Sequence, residues 1–254
     1  MPRAHLTDVR RPSSRCIIFK YGIIKLVKGD LYHIFNRGVE KRKICLDNKD
    51  RIRFVHNLGD FNSIHNAEQS YFRRRADKYS LTDVGRPSGQ DKIVDVICWA
   101  LMPNHPHIMV MERKKEGISN FSKKIFGGYT KYFNERNNRS GVLFQGRSKK
   151  VLVNKDAQLL YLPFYIHLNP LDLFQPKWKE KGIKDTKGAI KFLEEYRWSN
   201  YRDIIGKGNS EFADVSNREL FLKIFHTSGE EYKKEMEEWI KNERYLTDVG
   251  RPSI

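Results

Sequence analysis

His105 and His107 stand one residue apart, around Pro106, in the stretch WALMPNHPHIMV. On a strand, side chains two apart leave the same face of the sheet. Two imidazoles would then project side by side, a natural ligand pair for a divalent cation. In YIHLNP, Tyr165 and Asn169 are four apart, the spacing at which side chains share one face of a helix. A phenol and an amide oxygen could therefore meet the same two histidines. Each motif also has a purely structural reading. The histidines could hydrogen-bond and nothing more. Tyr165 could be a packed core tyrosine, with Asn169 closing a helix before Pro170, where helices tend to stop. Tyr161, one turn earlier, and Tyr129 and Tyr132 compete with Tyr165 as the reactive phenol.

Such residues act only if elements hold them together. The chain has 254 residues, 39% of them hydrophobic and 12% aromatic. That suffices for one sizeable core and excludes a collagen-like, coiled-coil or wholly disordered chain. DLYHIFNR at 30–37 alternates as a strand. NKDRIRFVHNLGDFNS at 48–63 carries Ile52, Phe54, Val55 and Leu58 at helical spacing. Residues 92–102 and 107–112 read as adjacent buried strands joined by a PNHP turn. Helices are expected over 117–137 and 155–169, an extended hairpin over 141–153, a packed element over 187–205 and an exposed helix over 229–244. Pro163, inside the second helix, would kink it. Strands and helices in this order predict an α+β fold with a predominantly antiparallel sheet.

Lys and Arg number 48 against 31 Asp and Glu, a formal charge of +17. A chain this basic points to a polyanion, nucleic acid first. The excess concentrates in residues 111–150, where eleven Lys and Arg face three Glu. Aromatics are interleaved there, the composition of a single-strand binder. Candidate phosphate contacts are Arg37, Arg42, Lys131, Arg136, Arg139 and Arg147. No RNP1-type motif or zinc-finger spacing is present. Cys16, Cys45 and Cys98 are too few and scattered for a disulfide framework or zinc cluster. No apolar run approaches the ~18 residues of a membrane span, and no secretory signal is evident. The expected setting is cytoplasmic, associated with the nucleoid.

Four blocks together, YHIFNRG (32–38), WALMPNHPHIMV, YTKYFNERNNRSGVLFQGR (129–147) and YIHLNP, resemble the REP-associated tyrosine transposases, single-tyrosine enzymes of the HUH class. The likeness spans residues 29–205, with 1–28 as an N-terminal arm, 66–90 as a surface insertion and 206–254 as a C-terminal helical extension and tail. It implies a ferredoxin-like antiparallel β-sheet flanked by helices. By position it makes Tyr165 the nucleophile and His105, His107 and Asn169 the metal ligands, with Mg²⁺ or Mn²⁺ as the ion. It further implies cleavage and rejoining of single-stranded DNA beside palindromic hairpins through a 5′-phosphotyrosine link. Rejoining would need no ATP, in keeping with the missing phosphate-loop motif. His167 should face away from Tyr165, as a structural or DNA-facing group. Alternatives are a catalytically silent hairpin binder of the same fold and a phosphodiesterase that activates water. A monomer and a homodimer are both compatible with the family.

An octapeptide recurs, LTDVRRPS at 6–13 and LTDVGRPS at 81–88 and 246–253. Its spacing is too irregular for a solenoid, and its polar, proline-containing character predicts loop or tail. A codon choice exists that writes it as an inverted repeat around one central base, and changing that base turns Gly85 into the Arg11 of the first copy. The expectation is that the gene carries copies of the hairpin on which the protein acts. Short protein-binding motifs are the competing account.

Overall fold

The computed structural model describes residues 30–64, 91–208 and 210–241. The arm over 1–28, the insertion over 66–90 and all three octapeptides lie outside the described residues.

Four strands form one antiparallel sheet: β1 (Leu31–Phe35), β2 (Val94–Met102), β3 (His105–Glu112) and β4 (Lys149–Leu152), in spatial order β2-β3-β1-β4. Helix α1 (Asn48–Asp60) links β1 to β2, and α2 (Gly117–Arg136) links β3 to β4. This is the ferredoxin-like alternation, and the α+β expectation holds. Asp47 caps α1, its side chain accepting from the Asp50 amide, which explains a start at Asn48. Helices α1 and α2 meet closely because Gly128 has no side chain; a Cβ there would lie 2.4 Å from the Phe61 ring.

The sheet separates two apolar layers. Ile34, Ile108 and Val110 belong to the layer under α1 and α2. Leu31, Met109 and Met111 belong to the opposite one. In β2 a bulge between Val96 and Cys98 shifts the alternation by one residue. Val94 and Val96 before it, and Trp99 and Leu101 after it, therefore share the α1/α2 layer. This explains why β2 reads as an unbroken apolar run. Its outer edge is closed by Trp198, whose carbonyl accepts from the Leu101 amide at 2.8 Å, and by Asn217, whose amide donates to the Val96 carbonyl at 2.8 Å.

The second layer is covered by α3 (Asp156–Leu168), followed by α4 (Leu171–Phe174), α5 (Trp178–Lys181), α6 (Thr186–Glu195), α7 (Tyr201–Ile204), α8 (Arg218–Ile224) and α9 (Gly229–Lys241). Every residue of α3 from Tyr161 to Leu168 is buried, as expected for a helix that is apolar all round. Surrounded on its sides, it runs through Pro163 as one helix.

Three sequence expectations are corrected. The PNHP turn is only Pro103 and Asn104, and β3 already begins at His105. The hairpin over 141–153 does not form. Gly141 and Gly146 adopt φ of +85° and +75°, Leu143 and Phe144 turn into the core, and the segment pairs with the end of β1 through a Gly38–Phe144 bridge. Finally, α9 is not an exposed helix. Tyr232, Met236, Trp239 and Ile240 bury a full face in the second layer, so residues beyond 205 contribute to the same core as α3.

Candidate active site

β3 delivers the two histidines to the second face, one residue pair apart. Their rings lie 4.8 Å apart at 88°. Across the layer, α3 brings the Tyr165 ring to 5.3 Å from that of His107, edge to face. The distance that sequence could not supply, from the phenol ring to the histidines, is a direct ring contact at His107. The competing tyrosines lie elsewhere. Tyr129 is buried in the α1/α2 layer, its hydroxyl donating to the Ile44 carbonyl at 2.6 Å. Tyr132 reaches Asp50 on that same side. Tyr161 stacks on Tyr165 at 5.7 Å, one turn further from the histidines.

Asn169 closes α3. Its amide nitrogen donates to the Tyr165 carbonyl at 3.0 Å, and its oxygen Oδ1 accepts from Lys179 Nζ at 3.4 Å. His167 does face away from the site. Fully buried, it is held between Tyr232 Oη at 2.8 Å and Asn200 Oδ1 at 2.9 Å, so it is structural and does not face DNA.

Two further groups complete the site. His33, at the centre of β1, places its Nε2 2.9 Å from His107 Nδ1. Lys179, on α5, lies with Nζ 5.6 Å from the Tyr165 ring centroid and 3.2 Å from Asp172 Oδ2. The alternation in YHIFNRG could have flagged His33, since residues 31, 33 and 35 share a face. Nothing local distinguishes Lys179 from the other lysines of its segment.

Burial governs the electrostatics. It pushes the His105 imidazole down to about 4, helped by the charges of Arg37 and Lys179. Burial and neighbouring His33, His105 and Lys179 hold His107 well below its ordinary range. Burial lowers His33 to about 3. All three rings are neutral at physiological pH and keep lone pairs. Burial raises the Tyr165 phenol to about 12, against a lowering hydrogen bond from Asn169.

The residues present fit a divalent cation. His107 Nε2 is buried without a partner, while its Nδ1 is taken by His33. Neutral imidazoles with one nitrogen anchored suit metal ligation. Among the described residues no three His, Cys, Asp or Glu side chains are arranged to hold a metal. A third protein ligand would be of another type, and Asn169, one turn after Tyr165, carries an amide oxygen, which Lys179 reaches.

The proposed phosphate contacts scatter. Arg37 is exposed and acts electrostatically on His105. Arg42 pairs with Glu40 at 3.2 Å. Arg136 is engaged by both Asp47 and the buried Asp50. Arg139 lies over Phe133 and donates to Asn134 Oδ1 at 3.3 Å. Lys131 and Arg147 line a groove between α2 and residues 142–150.

No family model matches the chain, and no curated protein matches it. Among solved structures the fold is similar to one described as "Structure of the REP associates tyrosine transposase bound to a REP hairpin". The match covers 80% of this chain and 87% of that one, at 14% identity and a TM-score of 0.43. A likeness of this degree leaves the roles of individual residues to the geometry of this chain.

Proposed function

We propose that the protein is a metal-dependent, single-stranded DNA endonuclease and strand transferase, acting beside hairpin-forming palindromes, with Tyr165 as its nucleophile. The observation that carries this reading is the convergence of Tyr165 on His107 at a ring distance of 5.3 Å. It stands with the net charge of +17, which favours a polyanionic substrate.

Tyr165 Oη attacks the scissile phosphorus. The new phenolic O–P bond forms as the P–O3′ bond breaks, and the proton lost by the phenol is balanced by the one gained by the released 3′-hydroxyl. The product is a 5′-phosphotyrosine, which a 3′-hydroxyl can attack to rejoin strands without ATP. A phenol raised to about 12 is a poor nucleophile at neutral pH. The ammonium of Lys179, over the ring, favours the phenolate and the charge growing on the phosphate. His105, His107 and Asn169 would hold Mg²⁺ or Mn²⁺, which when bound supplies Lewis-acid stabilisation of the phosphate oxygens. His33 keeps His107 in one orientation, and Tyr161, stacked on Tyr165, covers one face of the phenol ring.

The test is incubation with labelled single-stranded hairpin DNA and Mn²⁺, followed by a denaturing gel. A denaturant-resistant adduct that disappears in Tyr165→Phe supports the reading. Cleavage that survives Tyr165→Phe identifies water as the nucleophile. Binding with no cleavage identifies a silent hairpin binder. Isothermal titration of the metal-free protein with Mn²⁺ checks the ligand set apart from activity.

A further inference from the structure

On the face of the sheet away from Tyr165 lies an open groove of about 760 Å³, between α2 and residues 142–150. Its charged lining consists of Lys123, Lys131, Arg147 and Lys150, with no Asp or Glu. Among the described residues Lys123, Arg147 and Lys150 form no ion pair. Lys150 instead reaches Ser119 Oγ at 3.2 Å across the groove. This exposed positive charge has no carboxylate beside it in the groove lining and suits a polyanion.

Two features of its wall bear on ligand binding. Ser122 lines it and is only 2% exposed, yet its hydroxyl has no partner. A buried, unpaired hydroxyl is costly unless something approaches it. Gly127 lines the same wall, and a Cβ built there would meet nothing within 4 Å. A glycine in a helix interior is less favourable than an alanine. Packing does not require this one, unlike Gly128 beside it. Its effect is to leave the α2 backbone bare where a ligand would lie.

Strand β4 connects this groove to the catalytic face. It is the exposed edge of the sheet. Lys150 pairs in register with Ile34, of the groove-side layer, and Lys149 with Phe35. The Phe35 ring lies 5.8 Å from that of His107. Successive lysines of one strand thus serve opposite faces.

We infer that this groove binds single-stranded DNA and that the lysines of β4 lead the same strand around the sheet edge to Tyr165. Single-strand binders pair a cationic groove with surfaces on which bases pack, and the exposed Val142 of its lining offers such a surface. The inference rests on the reading of the protein as a DNA-processing enzyme and adds where the substrate strand runs.

The test compares wild type, Lys123→Gln/Arg147→Gln/Lys150→Gln and Gly127→Leu. Fluorescence anisotropy reads affinity for a long single strand, for a duplex and for RNA of the same sequence, across a salt series. Removing three phosphate contacts should weaken long single-strand binding roughly tenfold or more and flatten the log–log salt slope by about 2. Gly127→Leu should weaken that binding with the slope unchanged, while thermal melting shows the fold intact. Unchanged affinity and slope in both variants overturn the groove, leaving the edge lysines a role only in preventing strand-to-strand association. Equal losses for duplex, or tighter binding of RNA, overturn the single-stranded DNA assignment. The gel adduct at Tyr165 is scored separately. Its absence in wild type beside weakened strand binding in the variants refutes the chemistry and keeps the groove. An adduct beside unchanged binding does the reverse.

Discussion

His33 Nε2 and His107 Nδ1 sit 2.9 Å apart in the buried interior of the sheet surface. Only one can be the donor. If His107 donates, its Nε2 holds the lone pair that faces the site, ready for a cation. If His33 donates, that Nε2 carries a hydrogen and cannot bind one. His33 is thus a positioning residue that selects between a competent and an incompetent form of its neighbour.

Replacing His33 with Phe should weaken Mn²⁺ binding by about 10- to 100-fold, the range for loss of a partner behind a metal-bound histidine. His33→Gln keeps a hydrogen-bonding group and should recover part of that affinity. Titration calorimetry on metal-free protein reads both. Equal affinity in His33→Phe and wild type would remove His33 from the site.

Lys179 is tested by Lys179→Gln. The side chain lies 5.6 Å from the Tyr165 ring and 3.4 Å from Asn169 Oδ1. Loss of its charge should slow adduct formation about 10²-fold, the scale of removing one preorganised stabilising group. Binding of hairpin DNA should change far less. A parallel fall in binding and rate would make Lys179 a substrate-binding residue and nothing more.

Trp239 of α9 stacks on Phe164 at 4.7 Å and 8°. Phe164 immediately precedes Tyr165 on α3. Trp239→Ala should destabilise the fold by about 3–5 kcal/mol, read by denaturant unfolding. Near-neutral stability in this variant would detach the C-terminal helices from the catalytic core.

Glu194 of α6 meets Lys207 at 2.5 Å and Lys233 of α9 at 2.8 Å. Burial alone would raise its carboxyl, but hydrogen bonds and charge from the two lysines outweigh that and hold it below the usual carboxylate value. The unfolded chain therefore takes up the proton first as pH falls. The stabilisation is complete above the unfolded value of about 4.3 and is lost as pH drops through the folded one. Thermal melts should show wild type above Glu194→Gln near neutrality, with the gap closing below about pH 4. A gap that persists in acid would contradict the assignment.

Much was legible in the chain because it is local. Helices α1 and α2 follow from apolar spacing and, for α1, from the Asp47 cap. The pairing of His105 with His107 follows from a strand period of two, and the nearness of Tyr165 to Asn169 from a helical turn. The resemblance across four blocks put these into one site before any coordinates. Pro163 does not end α3, which continues to Leu168 because its neighbours in the second layer pack around it. The hairpin over 141–153 failed for the converse reason, because two left-handed glycines and the burial of Leu143 and Phe144 outweigh its alternating pattern.

What sequence alone determined is the set of chemically able residues and the short-range elements that carry them. Only the tertiary structure decided which of them meet. His33 reaches His107 because β1 pairs beside β3, and Lys179 reaches Tyr165 because α5 folds back over α3. The cations of α2 stand on the far face because the sheet divides two cores. Such contacts depend on strand order and layer packing, which are settled by the sum of many buried surfaces and leave no mark in the spacing of neighbouring residues.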